Sequence, residues 1–104
     1  MANYVLIYSG GTMPESDAER EAVMAAWGQW FGGLGAAVVD GGNPFGPGVT
    51  VTPGGGVDEG TSSGANGYSI LTAASLAEAG EMAKGCPLLA AGGTVEVHET
   101  FDVM

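Results

Sequence analysis

Large side chains alternate with a period of two in two stretches of the chain, as they do in β-strands. Residues 3–9 (NYVLIYS) and 67–73 (GYSILTA) place bulky residues on both sides of an extended backbone. Two shorter runs have the same character: 36–40 (AAVVD), which leads into a turn-forming cluster, and Thr94–Thr100, which follows a Gly92–Gly93 turn. The pattern therefore predicts four strands.

Two capping-box signatures predict the starts of two helices. Ser16 is followed three residues later by Glu19, and Ser75 is followed in the same way by Glu78. The first helix then carries a broad apolar stripe at i, i+4, i+7, i+8 and i+11, which consists of Val23, Trp27, Trp30, Phe31 and Leu34. The second carries a narrow stripe of mostly small residues, which consists of Leu76, Ala79, Gly80 and Ala83.

The remaining segments predict how these elements are connected. Gly35 is expected to end the first helix, and Gly85 followed by Pro87 is expected to end the second. Between the second and third strands, residues 49–52 and a return arm opened by Val57 predict a small hairpin-like insert. The order predicts an α+β fold of the ferredoxin-like βαββαβ type, in which two helices cover one face of a four-stranded antiparallel sheet.

The composition is acidic and contains very little positive charge. The 104 residues include two Lys or Arg and twelve Asp or Glu, which gives a formal net charge of −10. Because no basic patch can form, neither nucleic acid nor an anionic membrane surface is expected as a partner. No apolar run approaches the ~20 residues of a membrane helix, and no signal peptide is evident. We therefore expect a cytoplasmic protein with a single domain, residues 1–104.

The open face of the predicted sheet indicates a partner. The first strand places Tyr4, Leu6 and Tyr8 on one side and Val5 and Ile7 on the other. Helices can cover only one of these sides, so the other would expose an apolar patch. A homodimer through the open sheet face is therefore expected. The alternative is that the insert, residues 49–65, folds over this face.

Metal and cofactor chemistry is not expected. One histidine and one cysteine cannot complete a closed zinc site, and residues 58–59 lack the acidic spacing of a calcium loop. The glycine-rich stretches 32–35 and 54–56 do not open helices, so they are interpreted as turn and cap residues and not as phosphate loops. Cys86 precedes a proline at the predicted end of a helix, where packing is expected and an activated thiolate is not.

Two residues are candidates for proton transfer. Asp40 ends a strand directly after the aromatic helix, and a side chain turned toward Trp27 and Trp30 would be a partly desolvated general base with a raised pKa. Alternatively, Asp40 caps the turn formed by residues 41–43. His98, in the last strand, is either a proton shuttle or a structural or interfacial residue.

A ligand site is predicted between the aromatic side of the first helix and the ends of the strands. Such a site would have an apolar wall with one carboxylate and one amide, which suits a flat apolar or aromatic ligand. Its expected ligand-binding residues are Tyr8, Trp27, Trp30, Asn43 and Phe45.

Four segments resemble a known family, the YCII-related domain proteins of the DGPF type. They are YVLIYSGG at 4–11, WGQWFGGLGAAVVDGGNPFGP at 27–47, NGYSILTAASLAEAGEMAKGCPLL at 66–89 and GGTVEVHE at 92–99. The resemblance implies a dimeric α+β barrel, usually bacterial, in a family whose members mostly have no established activity. It also implies small aromatic or phenolic substrates for some members, with a catalytic His–Asp pair in part of the family. The first helix here has no histidine, so that pair is not carried over.

Two classes of function follow. One is an enzyme that acts on a small aromatic or carbonyl-bearing molecule by carboxylate-assisted proton transfer, without a cofactor. The other is a non-catalytic dimeric domain that binds a small ligand or assists another protein. The first requires a titrating group inside a pocket. A pocket with no convergent polar groups would favour the second.

Overall fold

Six strands and three helices make up the part of the chain that the structure, a computed structural model, describes, which is residues 1–103. In chain order they are β1 (Ala2–Ser9), α1 (Asp17–Leu34), β2 (Val38–Asp40), β3 (Val49–Val51), β4 (Val57–Glu59), β5 (Ala65–Ala73), α2 (Leu76–Ala83), α3 (Pro87–Ala90) and β6 (Thr94–Glu99). A 3-10 turn, Gly35–Ala37, joins α1 to β2. The predicted α+β class is confirmed.

The main sheet has four strands in the order β2, β5, β1, β6, and every neighbouring pair is antiparallel. The predicted four-stranded antiparallel sheet is therefore confirmed. In the central pair, Tyr4 lies opposite Leu71 and Leu6 opposite Ser69. Because facing residues share one side of a sheet, these pairs define one face, and Val5 opposite Ile70 belongs to the other.

The core lies on the first of these faces. Tyr4, Leu6 and Tyr8 from β1 are buried there, whereas Val5 and Ile7 on the opposite face are only half-buried. The other buried apolar residues of the core are Leu71, Ala73, Ala79, Ala83 and Cys86. Small residues on α2 let the helix approach the sheet closely, as predicted for Ala79 and Ala83.

One residue of the predicted α2 stripe is outside the core. Leu76 is 52% exposed. It is the first residue of the helix, and helical side chains lean toward the N-terminus, so its side chain extends past the end of the helix. The predicted stripe is therefore limited to the later turns.

Both predicted helix caps are confirmed. Ser16 Oγ accepts a hydrogen bond from the Glu19 amide at 3.1 Å, and Ser75 Oγ accepts one from the Glu78 amide at the same distance. The Glu19 carboxylate in turn accepts from the Glu15 amide at 3.0 Å. Each cap satisfies backbone donors that the first turn of a helix leaves without a partner.

Helix α1 packs less deeply than predicted. None of its residues is fully buried, although Trp27, Trp30 and Leu34 are half-buried against the core. Phe31 is half-buried as well. Val23, the first member of the predicted stripe, is 41% exposed. The indole N–H of Trp30 donates to the Met82 carbonyl at 3.0 Å and ties α1 to α2. The first half of α1 therefore stands away from the sheet.

The predicted hairpin is confirmed as a separate two-stranded sheet of β3 and β4. At its base the Gly60 amide donates to the Gly48 carbonyl at 3.0 Å, so the two ends of the hairpin are adjacent. Val49, Val51 and Val57 are 59%, 67% and 62% exposed. The hairpin therefore does not bury its apolar side chains against the main sheet.

Two local details differ from the sequence predictions. Helix α2 ends at Ala83, just before Gly85 and Pro87 as predicted, but Pro87 also begins a short helix, α3, that was not predicted. Proline suits this position because the first helical N–H has no intrahelical partner in any case. Strand β2 is shorter than the predicted 36–40, because residues 35–37 form the 3-10 turn. Within residues 1–103, no helix has the length and apolar character needed to cross a membrane.

Candidate functional site

A groove of about 600 Å³ opens between the first half of α1 and one end of the central strands. One wall is α1 with the loop before it and α3, and it contributes Met13, Val23, Met24, Trp27, Phe31 and Leu88. The other wall is the segment Gly41–Pro44, which continues from β2. The Tyr8 ring and Gly67 lie between the walls. A space of this size is ordinary for a small-molecule site.

The groove exists partly because Gly67 has no side chain. Gly67 faces Tyr8 in the β1–β5 ladder, so a side chain there would enter the space beneath α1. A Cβ atom added at Gly67 would touch the Tyr8 ring, the Asn43 carbonyl and the Pro44 Cα, each at 3.4 Å. This position therefore keeps the floor of the groove open.

The second wall lies directly on β5. A Cβ atom on Gly42 would come within 1.7 Å of the Tyr68 carbonyl oxygen, and the φ of Gly42 is +72°. Only glycine fits this close approach without a backbone shift. Beyond it, Pro44 bridges to Gly67, and the Phe45 amide donates to the Asn66 carbonyl at 3.0 Å. The wall is therefore held by backbone contacts.

Aromatic rings form the deep end of the groove. The rings of Tyr8 and Trp27 meet edge to face at 5.2 Å, and Phe31 lies 5.8 Å from Trp27. Trp30, which was expected in the site, does not line the groove. It lies 5.6 Å from Trp27, but its indole N–H is bound to the Met82 carbonyl. Trp27 thus faces the groove, whereas Trp30 anchors the helix.

The Tyr8 hydroxyl begins a series of two hydrogen bonds. It donates to Ser69 Oγ at 2.7 Å, and Ser69 Oγ donates to the Gly41 carbonyl at 2.6 Å. Burial raises the pKa of Tyr8 to about 12. At neutral pH the phenol is therefore protonated and its proton points to Ser69, so Tyr8 supplies the groove with an aromatic surface and not with an acid or base.

Asp40 lies outside the groove, contrary to its predicted location beside the tryptophans. It is exposed, its Oδ1 accepts from the Gly42 amide at 2.8 Å, and its Oδ2 accepts from the Tyr68 hydroxyl at 3.3 Å. This is the turn-capping geometry that the sequence also allowed. The Asp40 carboxylate raises the pKa of the Tyr68 phenol, because a second negative charge beside it is unfavourable.

A break in the strand register explains the position of Asp40. Val38 pairs with Leu71, but two residues later Asp40 pairs with Ile70, so β2 contains a bulge. Leu71 belongs to the core face and Ile70 to the open face, so the bulge moves Asp40 away from α1. In a regular strand, residues two positions apart such as Val38 and Asp40 would share one face.

His98 also lies on the open face, opposite Val5. It is exposed, and its Nε2 is 2.9 Å from Glu96 Oε1. Asp40 and His98 belong to the two edge strands, with β5 and β1 between them. Three strand spacings separate these edges, about 14 Å, so the two side chains do not form a catalytic pair.

Only some of the predicted ligand residues line the groove. Tyr8, Trp27 and Asn43 line the groove together. Phe45 does not line it; its ring stacks on Tyr68 with 6.0 Å between centroids and borders a separate shallow cleft. The sequence interpretation missed Arg20, Met24 and Asn66 as lining residues. Arg20 and Met24 were detectable, because positions 20, 23, 24, 27 and 31 share one side of a helix.

The other reactive side chains also lie elsewhere. Cys86 is 3% exposed and does not line the groove, and burial raises the pKa of its thiol. Within residues 1–103, no three His, Cys, Asp or Glu side chains are grouped so that they could hold a metal ion. Comparison with known proteins gives no assignment, since neither a protein-family model nor a curated protein matches this chain.

Proposed function

We propose that the protein is a non-catalytic binding domain whose ligand is a small, flat, aromatic molecule held in the groove between α1 and the sheet. The observation that carries this proposal is the chemistry of the lining. Among residues 1–103, no carboxylate, histidine or cysteine lines the groove. General acid–base catalysis needs a group that titrates near the working pH within hydrogen-bond reach of the ligand. The lining contains two phenols, but burial raises the pKa of Tyr8 to about 12 and the Asp40 carboxylate raises the pKa of Tyr68, so neither phenol ionises near neutral pH.

The apolar walls supply the driving force for binding. Val23 and Met24 are 41% and 69% exposed on the groove side of α1, and Trp27 is half-buried behind them. A ligand that covers 100 Å² of such surface gains about 2.5 kcal/mol from the hydrophobic effect. The edge-to-face ring of Trp27 favours a flat aromatic partner. Asn43 and Asn66 are exposed residues of the lining that can orient a polar substituent, Asn43 through its amide and Asn66 through its amide oxygen, because Asn66 Nδ2 already donates to the Gly10 carbonyl at 2.9 Å.

The enzyme hypothesis requires Asp40 or His98 to reach a bound substrate. Neither residue lines the groove. His98 is on the open face of the sheet, and the Asp40 carboxylate is occupied by hydrogen bonds from the Gly42 amide and the Tyr68 hydroxyl, two residues of the groove lining. The geometry therefore favours the binding function. An Asp40→Asn variant is expected to bind the same ligands with unchanged affinity, whereas loss of a measurable turnover in that variant would restore the enzyme hypothesis.

We also propose the ferredoxin-like topology and a homodimer through the open sheet face. The topology is supported by the antiparallel strand order β2, β5, β1, β6. In chain order, α1 follows the first strand of this sheet and α2 follows the third, β5. Val5, Ile7 and Ile70 on the open face support the dimer, because nothing in the hairpin is buried against them. A second copy of the chain is the occupant expected for such a self-complementary face.

The exposed area supports association as well. The chain exposes 6892 Å². A compact monomer of this mass would expose about 5,400 Å². The surface exposed in excess of a compact monomer is larger than the ~800 Å² that each partner buries in a standard interface. The protruding hairpin accounts for part of this excess. We also propose membership of the YCII-related family, because four segments of the sequence resemble it; that family implies the same dimeric α+β barrel. A cytoplasmic location stays a prediction.

The two tryptophans provide a direct test of the binding site. Trp27 lines the groove and Trp30 does not, so Trp30→Phe and Trp27→Phe each leave one reporter. We would titrate both variants with para-nitrobenzamide, a neutral planar quencher. The expected result is saturable quenching in Trp30→Phe and a several-fold weaker apparent affinity in Trp27→Phe, because that variant loses a ring that lines the groove. Equal affinities in the two variants would place the site elsewhere, and linear quenching in both would refute the binding function.

A further inference from the structure

We infer that the ligand of the groove is an aromatic carboxylate whose carboxylate group is bound by Arg20. This inference rests on the proposed function, because it concerns the same groove. It adds the charge of the ligand, the residue that recognises it and a preference over neutral molecules of the same shape.

Arg20 is the single cationic side chain that lines the groove within residues 1–103. It is on the same side of α1 as Val23, Met24 and Trp27, at spacings of three, four and seven residues. The chain has only one other Lys or Arg, Lys84, which follows α2 and does not line the groove. One end of an otherwise apolar groove therefore carries a positive charge.

The Arg20 guanidinium is available to a ligand. Its Nη1 lies 2.6 Å from Asp17 Oδ1, but the side chains of the two residues are 59% and 93% exposed. An ion pair with such exposure contributes little free energy. A guanidinium has five N–H donors, so a carboxylate can bind the remaining donors in bidentate fashion while Asp17 stays in place.

The acidity of the protein does not prevent this contact. The formal net charge is −10, but repulsion between exposed charges more than about 8 Å apart is largely screened at physiological salt. Asp17, Glu19 and Glu21 are on the same helix, and none of them lines the groove. Asp17, 2.6 Å from Arg20 Nη1, is too close to be screened and offsets part of the attraction, whereas a bound aromatic ring would cover part of the guanidinium and strengthen its contact with the ligand carboxylate.

The test compares two probes that differ only in charge. We would titrate the full chain at physiological salt with para-nitrobenzoate and with neutral para-nitrobenzamide, by calorimetry or by quenching of Trp27. Nitrobenzoate is expected to bind about tenfold more tightly than nitrobenzamide, because a hydrogen bond between charged groups contributes about this much affinity. Arg20→Gln should abolish this preference, so that the two probes bind with equal affinity, and circular dichroism checks that the variant is folded.

Lys84→Gln is the matched control, because Lys84 forms an equivalent i,i+3 ion pair with Glu81 at 2.7 Å, away from the groove. It should alter neither affinity. Equal affinities of the two probes for the unmodified protein, or a preference that survives Arg20→Gln, would overturn the inference and leave the proposed function intact. Saturable binding of neither probe would overturn both.

Discussion

Tyr8 belongs both to the buried core and to the floor of the groove, and its ionisation links stability to pH. Burial raises its pKa from 10.0 to about 12, so the folded chain holds this proton more tightly than the unfolded chain does. The corresponding stability is fully present below pH 10 and is lost as the pH rises from 10 to 12.

We therefore predict that the free energy of unfolding falls between pH 10 and 12, and falls less in Tyr8→Phe. At neutral pH this variant should lose about 1 kcal/mol with the hydrogen bond to Ser69. Part of the fall will remain, since burial and nearby Glu99 also raise the pKa of Tyr4. Urea unfolding of Tyr8→Phe and of the unmodified protein at a series of pH values measures the effect. Parallel pH profiles for Tyr8→Phe and the unmodified protein would contradict it.

At the residue scale, the sequence predicted interactions that are local and missed those that depend on a distant strand. The N-caps Ser16 and Ser75 bond to amides three residues away, so short motifs predict them. The position of Asp40 depends on a bulge against β5, thirty residues along the chain, which alternation within β2 does not encode. Arg20 was missed for another reason. The predicted stripe on α1 contained only apolar residues, whereas Arg20 is a charged residue on the same side of the helix.

At the element scale, the β3–β4 hairpin is an independent appendage. Isolated two-stranded sheets have little stability of their own, and this one leaves its valines exposed. The sequence predicted the hairpin because turn residues separate two β-branched runs. It did not predict α3, because Pro87 has the same local signature as a helix stop and as the first residue of a helix.

We predict that residues 49–59 can be replaced by a two-residue Asn-Gly turn with a change in unfolding free energy of less than about 1 kcal/mol. The hydrogen bond between the Gly60 amide and the Gly48 carbonyl keeps the ends close enough for this junction. Thermal and urea unfolding would measure the change, and a variant with Val49, Val51 and Val57 replaced by Ser is the full-length control. A loss of several kcal/mol would show that the hairpin covers the open face of the sheet.

At the scale of the whole molecule, the protein is a slab. Its principal dimensions are 44 × 40 × 18 Å, and the short one is the thickness of a sheet with one layer of helices. The predicted order of strands and helices was sufficient to predict that one face would lack helices. It did not indicate that α1 would stand partly away from the other face and leave a groove.

We predict that light scattering at micromolar concentration gives twice the mass of one chain. Because each copy carries a formal charge of −10, added salt should strengthen the dimer by screening this repulsion. Ile7→Asp on the open face should yield monomers with retained circular dichroism, whereas Thr50→Asp on the hairpin should leave the dimer intact. A single-chain mass for the unmodified protein would refute the dimer.

The shallow packing of α1 also determines how the groove moves. No residue of this helix is fully buried, whereas β1 and β5 contain most of the buried side chains. Elements with few buried contacts open at a lower free energy than the global unfolding transition. We therefore expect the amide hydrogens of α1 to exchange with solvent through local detachment, and those of β1 and β5 to exchange only when the whole molecule unfolds. The proposed ligand is expected to enter and leave through the same detachment, so occupancy of the groove and protection of one helix from hydrogen exchange should rise together.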